Sequence, residues 1–473
     1  MQPARTATPL PSSPPLPAAT AAAAPTLSRL TGMNAWFIVY MLVITVEYSG
    51  MAIQVPAIGA SRLPTIMAYS VFIAVVAAAG GAAFTGLPQL RLMLGFLVWS
   101  GLSILWAVVR GIVPVTTRFI GDYYTFAIVT AYLVDTRKRI DRVSFIIAVL
   151  IIVLTVGNLD KLSGARLGSY WAPYFMGDGN DFGWGLLTLM VFPLNLVLGN
   201  RRLVTRALGV TSVAIGVNAV LGTQSRGAFL AMCAGTLYYL VWVSRRKALG
   251  FVVVATIAGI VFVASPSGYG DRMGTIANYE DDDSARQRTV AWKAAFQMAQ
   301  DYPLGVGAGN FSAAYGHFYI PADAHGYGAF RWMSAHSVYF RVLAEYGFGG
   351  LFMLLSLMYL CFRDNLASMR QVQTRPEAYD LPAMWPALLN ISMSMYCVGA
   401  MFLGGFNYPH LFLLAGLSMA CKRAVTEDTG RAEVAARGGV AAPAAPVPAA
   451  VLPRPRYPPL ERPAPSAGDG RFF

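Results

Sequence analysis

Arg226 lies in TQSRGAFLA, where a long apolar segment begins, so its guanidinium sits at a helix end within or beside a membrane. Charge in that setting costs a few kcal/mol and marks a functional group unless it snorkels or merely fixes topology. Positive-inside sorting disfavours arginine on the outer face, where this helix end falls, and that argues for function. Gly227 beside it permits close approach of a second backbone or a ligand. Arg286 and Arg288 belong to SARQRTVAWKAAFQMAQDYP. Two residues apart on a helix they diverge by about 200°, so one of them is favoured at any single ligand. Arg288 stands four residues before Trp292, which puts guanidinium and indole on one face; a simple ion pair with an acidic loop residue is the competing reading. Among the histidines, His317 and His325 lie in a Tyr/Gly-rich stretch and His410 follows Pro409. His336 alone immediately precedes a spanning segment on the face that carries Arg226. A lone histidine is more often a hydrogen-bonded structural residue than a proton acceptor, and spacing by itself leaves both readings open.

Several other patterns carry less. GVGAGN, 305–310, follows a helix stopped by Pro303 and no strand, so the dinucleotide-binding context is missing and a flexible turn back to the membrane is expected. Asp281, Asp282 and Asp283 suit the positive end of a helix with Ser284 as its cap, without the second carboxylate or histidine cluster a metal needs. Cys233, Cys361, Cys397 and Cys421 show no CxxC spacing and read as small apolar residues. No metal, no cofactor and no disulfide is expected.

The elements that must hold these groups follow from composition. Of 473 residues, 56% are hydrophobic and 12% charged, and the mean hydropathy is +0.52. A soluble domain has roughly 25% charged residues, so most of this chain belongs in lipid. The net charge of +13 is dispersed in short runs between apolar segments, which excludes a nucleic-acid surface and fits membrane topology. Apolar runs near the 20 or so residues that cross a bilayer begin near Asn34, Ile66, Gln89, Val113, Val143, Phe182, Thr205, Gly227, Ala248, Phe340, Met384 and Asn407. The expected fold is therefore an all-α polytopic membrane protein of about 12 transmembrane helices. DTRKRIDR, NRRLVTR, SRRKA and CKR fall on one side of that count, the cytoplasmic side, and both termini join them there. The expected division is 1–33, a disordered cytoplasmic tail; 34–264, helices one to nine; 265–339, a large periplasmic loop with an amphipathic helix whose apolar stripe includes Val290, Ala294 and Met298; 340–423, helices ten to twelve; and 424–473, a second disordered tail.

TQSRGAFLA, RQRTVAWKAAFQMAQDYPLGVGAGNF and AHSVYFRVLAEYGFGGL occur in the order found in O-antigen ligases and the related O-antigen polymerases and protein O-glycan ligases, which this sequence resembles from about 180 to 355. The ligase spacing of a histidine, a small polar residue and two later glycines is met by His336, Ser337, Gly347 and Gly350. The resemblance implies a GT-C-like fold, with Arg226, Arg288 and His336 as catalytic residues and Arg286, Trp292, Ser337, Gly347 and Gly350 as substrate-binding ones. It implies an inverting, metal-independent transfer of a glycan from undecaprenyl pyrophosphate to a lipid A-core, protein or polysaccharide acceptor, at the periplasmic face of the bacterial inner membrane. Two guanidiniums can grip a pyrophosphate and neutralise the leaving group, and a neutral imidazole can take the acceptor proton. YFMGDGNDFG, DDDSARQR and DYPLGVG are most similar to the O-glycosylation ligases that accompany exosortase systems. Alternatives are a polymerase of the same family or a flippase or transporter, for which the Arg118/Asp122 pair is as natural. The absence of an internal repeat, and the gathering of the three candidate groups at one face, favour the enzyme.

Overall fold

A computed structural model describes residues 33–163, 170–199, 202–244, 247–248, 250–251, 283–321 and 332–437. The described residues are almost wholly helical, and none lies in a strand. The main helices are α1 (Asn34–Ser49), α2 (Leu63–Ala79), α3 (Pro88–Leu102), α4 (Val113–Leu133), α5 (Arg137–Val156), α6 (Gly179–Leu189), α7 (Val191–Gly199), α8 (Leu203–Gly222), α9 (Arg226–Tyr238), α10 (Asp283–Asp301), α11 (Val338–Thr374), α12 (Trp385–Gly399) and α13 (Pro409–Arg437).

Five spans among the described residues, Pro88–Leu105, Gly179–Gly199, Leu203–Gly222, Arg226–Val243 and Val338–Thr374, are long and apolar enough to cross a membrane; α1 and α2 are shorter apolar helices. The protein is thus an all-α membrane protein. The ninth expected span, from Ala248, and the first tail lie largely outside the described residues. The chain divides into a main unit through Asp428 and a second unit from Thr429. α13 continues through 424–437, a stretch expected to be disordered. TEDTGRAEVAAR contains no proline and has good helix formers, so helix propensity wins there over the low apolar content.

Inside the main unit one apolar core joins α1 to α9 and α11 to α13. α6 and α7 pack on α8 and α12, and α9 packs on α12. α10 has its own cluster: Ala291, Ala294, Ala295, Met298 and Ala299 are buried, packing with Val306, Phe311, Tyr315 and Ala344. Its stripe is one residue wider than expected, and Val290 sits at the margin. Ser284 is within α10 instead of capping it.

Several described basic residues are spent on structure. Arg139 pairs with Asp135 at 3.1 Å. Lys422 and Arg363 both reach Asp364, at 2.7 and 2.8 Å. Arg423 donates to the Ala131 carbonyl at 2.9 Å and stacks over Tyr132.

Candidate active site

α9 and α11 begin in the same unusual way. Each follows a residue in the left-handed region, Gln224 at φ 50° and His336 at φ 47°, and each has a serine as its N-cap residue, Ser225 and Ser337. Non-glycine residues at positive φ cost about 1–3 kcal/mol and persist where the surroundings impose them. Those surroundings are visible at His336. The Trp292 indole on α10 donates to the Ala335 carbonyl at 3.0 Å and stacks on Phe340 with centroids 5.0 Å apart. On the other side, the Val338 amide bonds to the Ala400 carbonyl at 2.8 Å, which also accepts from Ser337 Oγ at 3.4 Å. Gly404 lies alongside this backbone, where a Cβ would stand 3.4 Å from the His336 nitrogen.

Arg226 is the first residue of α9, half-buried. Gly227 meets Phe402 so closely that an added Cβ would lie 3.0 Å from it, so the start of α9 rests on the same 400–405 turn that supports His336. The third element is α6, whose N-cap Asp178 accepts from the Asn180 and Asp181 amides at 2.7 and 2.9 Å. Burial first, and then the charge of the nearby Arg288, hold the His336 imidazole below its usual 6.5, while Asp178 pulls in the opposite sense. His336, Arg288 and Asp178 are therefore neighbours in charge, although they come from three elements. The imidazole is neutral near pH 7 and able to accept a proton.

Residues 211–355 match the family model described as O-antigen ligase. The chain carries an O-antigen ligase domain. Compared with curated proteins, it has no significant match. The domain runs from within α8 to within α11, so it includes Arg226, Arg288 and His336, and together with the apolar helices it marks a membrane enzyme of the ligase or polymerase type.

The residues expected to bind substrate differ in their surroundings. Arg286 is exposed on α10. Trp292 and Ser337 are tied to backbone carbonyls and position His336. Gly347 and Gly350 are both tightly packed: Gly347 interrupts α11 at φ 68°, where a Cβ would strike the Pro303 carbonyl, and a Cβ at Gly350 would strike the Tyr346 Cβ. GVGAGN is also not a loose turn. Gly309 and Phe311 amides donate to the Glu345 carboxylate at 2.9 and 3.3 Å. Arg341 Nε completes the set at 3.1 Å, and its Nη1 bonds to the Gly404 carbonyl and to Asn407 Oδ1, both at 3.0 Å. One buried carboxylate thereby locks the returning loop, the α11 kink and the 404–407 turn together.

Sequence reading missed Asp178, Arg341 and Glu345. The Arg/Glu pair four residues apart in an otherwise apolar helix was the available signal. His317 packs edge-on to Trp332. His410 is fully buried among Tyr48, Phe175, Trp184 and Tyr408, and His325 is outside the described residues. Among the described residues, no group of three or more His, Cys, Asp or Glu side chains is arranged to hold a metal ion.

Proposed function

We propose that this protein transfers a glycan from undecaprenyl pyrophosphate to an acceptor hydroxyl at the periplasmic face of a bacterial inner membrane, through a GT-C-like fold of about twelve spans with both termini cytoplasmic. The observation that carries this reading is the neighbourhood of a neutral, strained His336 with Arg288, beside the helix start that bears Arg226. The N-terminal ends of α9 and α11 add partial positive charge there, which suits a phosphate-bearing donor. In this mechanism Arg226 and Arg288 bind the pyrophosphate. His336 takes the proton of the acceptor hydroxyl as its oxygen bonds to the anomeric carbon with inversion. The bond from that carbon to the phosphate oxygen breaks, and its electrons stay on undecaprenyl pyrophosphate, neutralised by the two guanidiniums. The arginines make a divalent metal unnecessary.

Full-length protein in nanodiscs, supplied with a lipid-linked glycan and, separately, lipid A-core, protein and polysaccharide acceptors, tests the proposal. Glycan released from its carrier and joined to one acceptor, undiminished by a chelator, is expected. Movement of intact lipid-linked glycan across a vesicle membrane without cleavage would instead make the protein a transporter. The orientation is checked by a cysteine at exposed Gln300 on α10, with exposed Cys233 replaced by serine. An impermeant reagent should label it in cells with an opened outer membrane and an intact inner one.

A further inference from the structure

A second polar region lies at the same end of the bundle, between α1, α2, α4 and the Tyr174–Met176 turn that precedes α6. It is a cavity of about 280 Å³, near the lower edge of the roughly 300–1,000 Å³ of small-molecule sites. Glu47 is half-buried and borders this space. Its Oε1 accepts from Tyr123 at 3.3 Å, and among the described residues Oε2 has no hydrogen-bond partner. Asp122 is better supplied: Tyr69 donates to Oδ1 at 2.5 Å and Arg118 stands 3.7 Å from Oδ2. The hydroxyls of Tyr123 and Tyr174 touch each other, and the Tyr174 and Phe119 rings approach with centroids 6.2 Å apart.

We propose that this cavity is a sugar subsite, taking one uncharged or amino sugar. Carboxylate oxygens and tyrosine hydroxyls are the groups that hydrogen-bond a ring of hydroxyls, and flanking aromatic faces cover its apolar side. Ionised at pH 8.5, Glu47 selects against uronic acids by like-charge repulsion, whereas Asp122 is already balanced by Arg118. The subsite is joined to the reactive one by a short stretch of chain. The Tyr174 ring meets Tyr408, Tyr408 donates to Asp181 at 2.8 Å, and Asp178, three residues earlier, acts on His336. A sugar held here would belong either to the acceptor or to the chain carried by the donor. That assignment rests on the proposed transfer activity; the binding itself does not.

Saturation-transfer NMR at pH 8.5 on full-length protein in nanodiscs, with maltotriose, the glucosamine trimer and trigalacturonate as probes, tests it. The first two are expected to bind and the acidic probe to fail. Glu47→Gln should weaken maltotriose by about tenfold, the worth of one hydrogen bond to a charged group, and Tyr69→Phe, at an exposed position less exposed to folding failure, should weaken it less. Arg288→Lys should bind as wild type does. Absence of saccharide binding by the wild type, equal binding of all three probes, or displacement of the sugar by millimolar Mg²⁺ or Ca²⁺ would overturn the proposal, the last by making the cavity a cation site. In a transfer assay Glu47→Gln should raise KM for the acceptor if the sugar is the acceptor's, or for the donor if it is the carried chain's; no change in either overturns the subsite. Undiminished transfer by Arg288→Lys would break the ligase mechanism while leaving the binding result intact.

Discussion

His336 and Glu345 are nine residues apart on one stretch of chain, and the protein treats them in opposite ways. Glu345 is 1% exposed and accepts from two backbone amides and a guanidinium, so its charge is fully met within the protein. His336 is half-buried in a strained conformation, and the neighbouring charges act on its imidazole with opposite signs. A buried charge satisfied on every side holds a fold together. One held taut among competing charges is available for chemistry.

The widest separation between the two should come from His336→Ala. Turnover is expected to fall by roughly 10²–10⁴-fold, the range for a positioned proton acceptor, while donor binding and the melting temperature stay close to wild type. His336→Asn, which tolerates positive φ better than alanine, controls for the backbone and should be as inactive. Wild-type turnover by the asparagine variant would make His336 a structural residue like Glu345 and erase the contrast.

Glu345→Ala should do the reverse. Losing one partner of a buried ion pair costs about 3–5 kcal/mol, here with two amides also left unmet, so thermal unfolding in detergent should move down sharply or the protein should fail to accumulate. A variant that melts normally would mean that the loop is held by its apolar contacts alone.

Arg288→Lys keeps the charge but not the planar fork that grips two phosphate oxygens. By analogy with the loss of one oxyanion donor, roughly 10²–10³-fold in turnover is expected, measured as transfer at matched protein levels. Near-normal transfer would reduce Arg288 to a source of field on His336.

These two residues differ in how far they could be read from sequence. His336, Arg288 and Arg226 drew attention because a charge or imidazole in apolar surroundings stands out, and all three fall within the matched residues 211–355. Five of the membrane-crossing helices were legible from their apolar lengths. Glu345 was not, since its amide partners lie 36 and 34 residues earlier in the chain and nothing local announces that GVGAGN will fold around a carboxylate. Gly347 is non-local in the same way: spacing marks a glycine there, but only the fold brings the Pro303 carbonyl against it. Asp178 is equally non-local, on an N-cap far from His336 in sequence. α13 ran past its expected end because Ala424 and Val425 are still buried in the core and good helix formers carry it on from there.

The smallest expected effect is the most discriminating, because it asks whether Asp178 and Arg288 act on His336 through their charge. The general base works when neutral, so transfer should rise with pH through an apparent pKa below 6.5. The same depression means that protonating His336 in the folded protein is harder than in the unfolded chain. Its contribution to stability is therefore complete above 6.5 and is lost as pH falls from there toward the folded-state pKa. Asp178→Asn removes an anion that favours the imidazolium, and asparagine can still cap α6 through its side-chain oxygen. The acid limb of the rate profile should then shift to lower pH with the plateau rate kept. Arg288→Gln removes a cation that disfavours the imidazolium, so in its much slower reaction the limb should shift to higher pH, yet remain below 6.5 because burial, the larger cause, persists. Opposite displacements in the two variants would mark His336 as the titrating base. Coincident profiles would mean that another group sets the limb, and that His336 differs from Glu345 in strain alone.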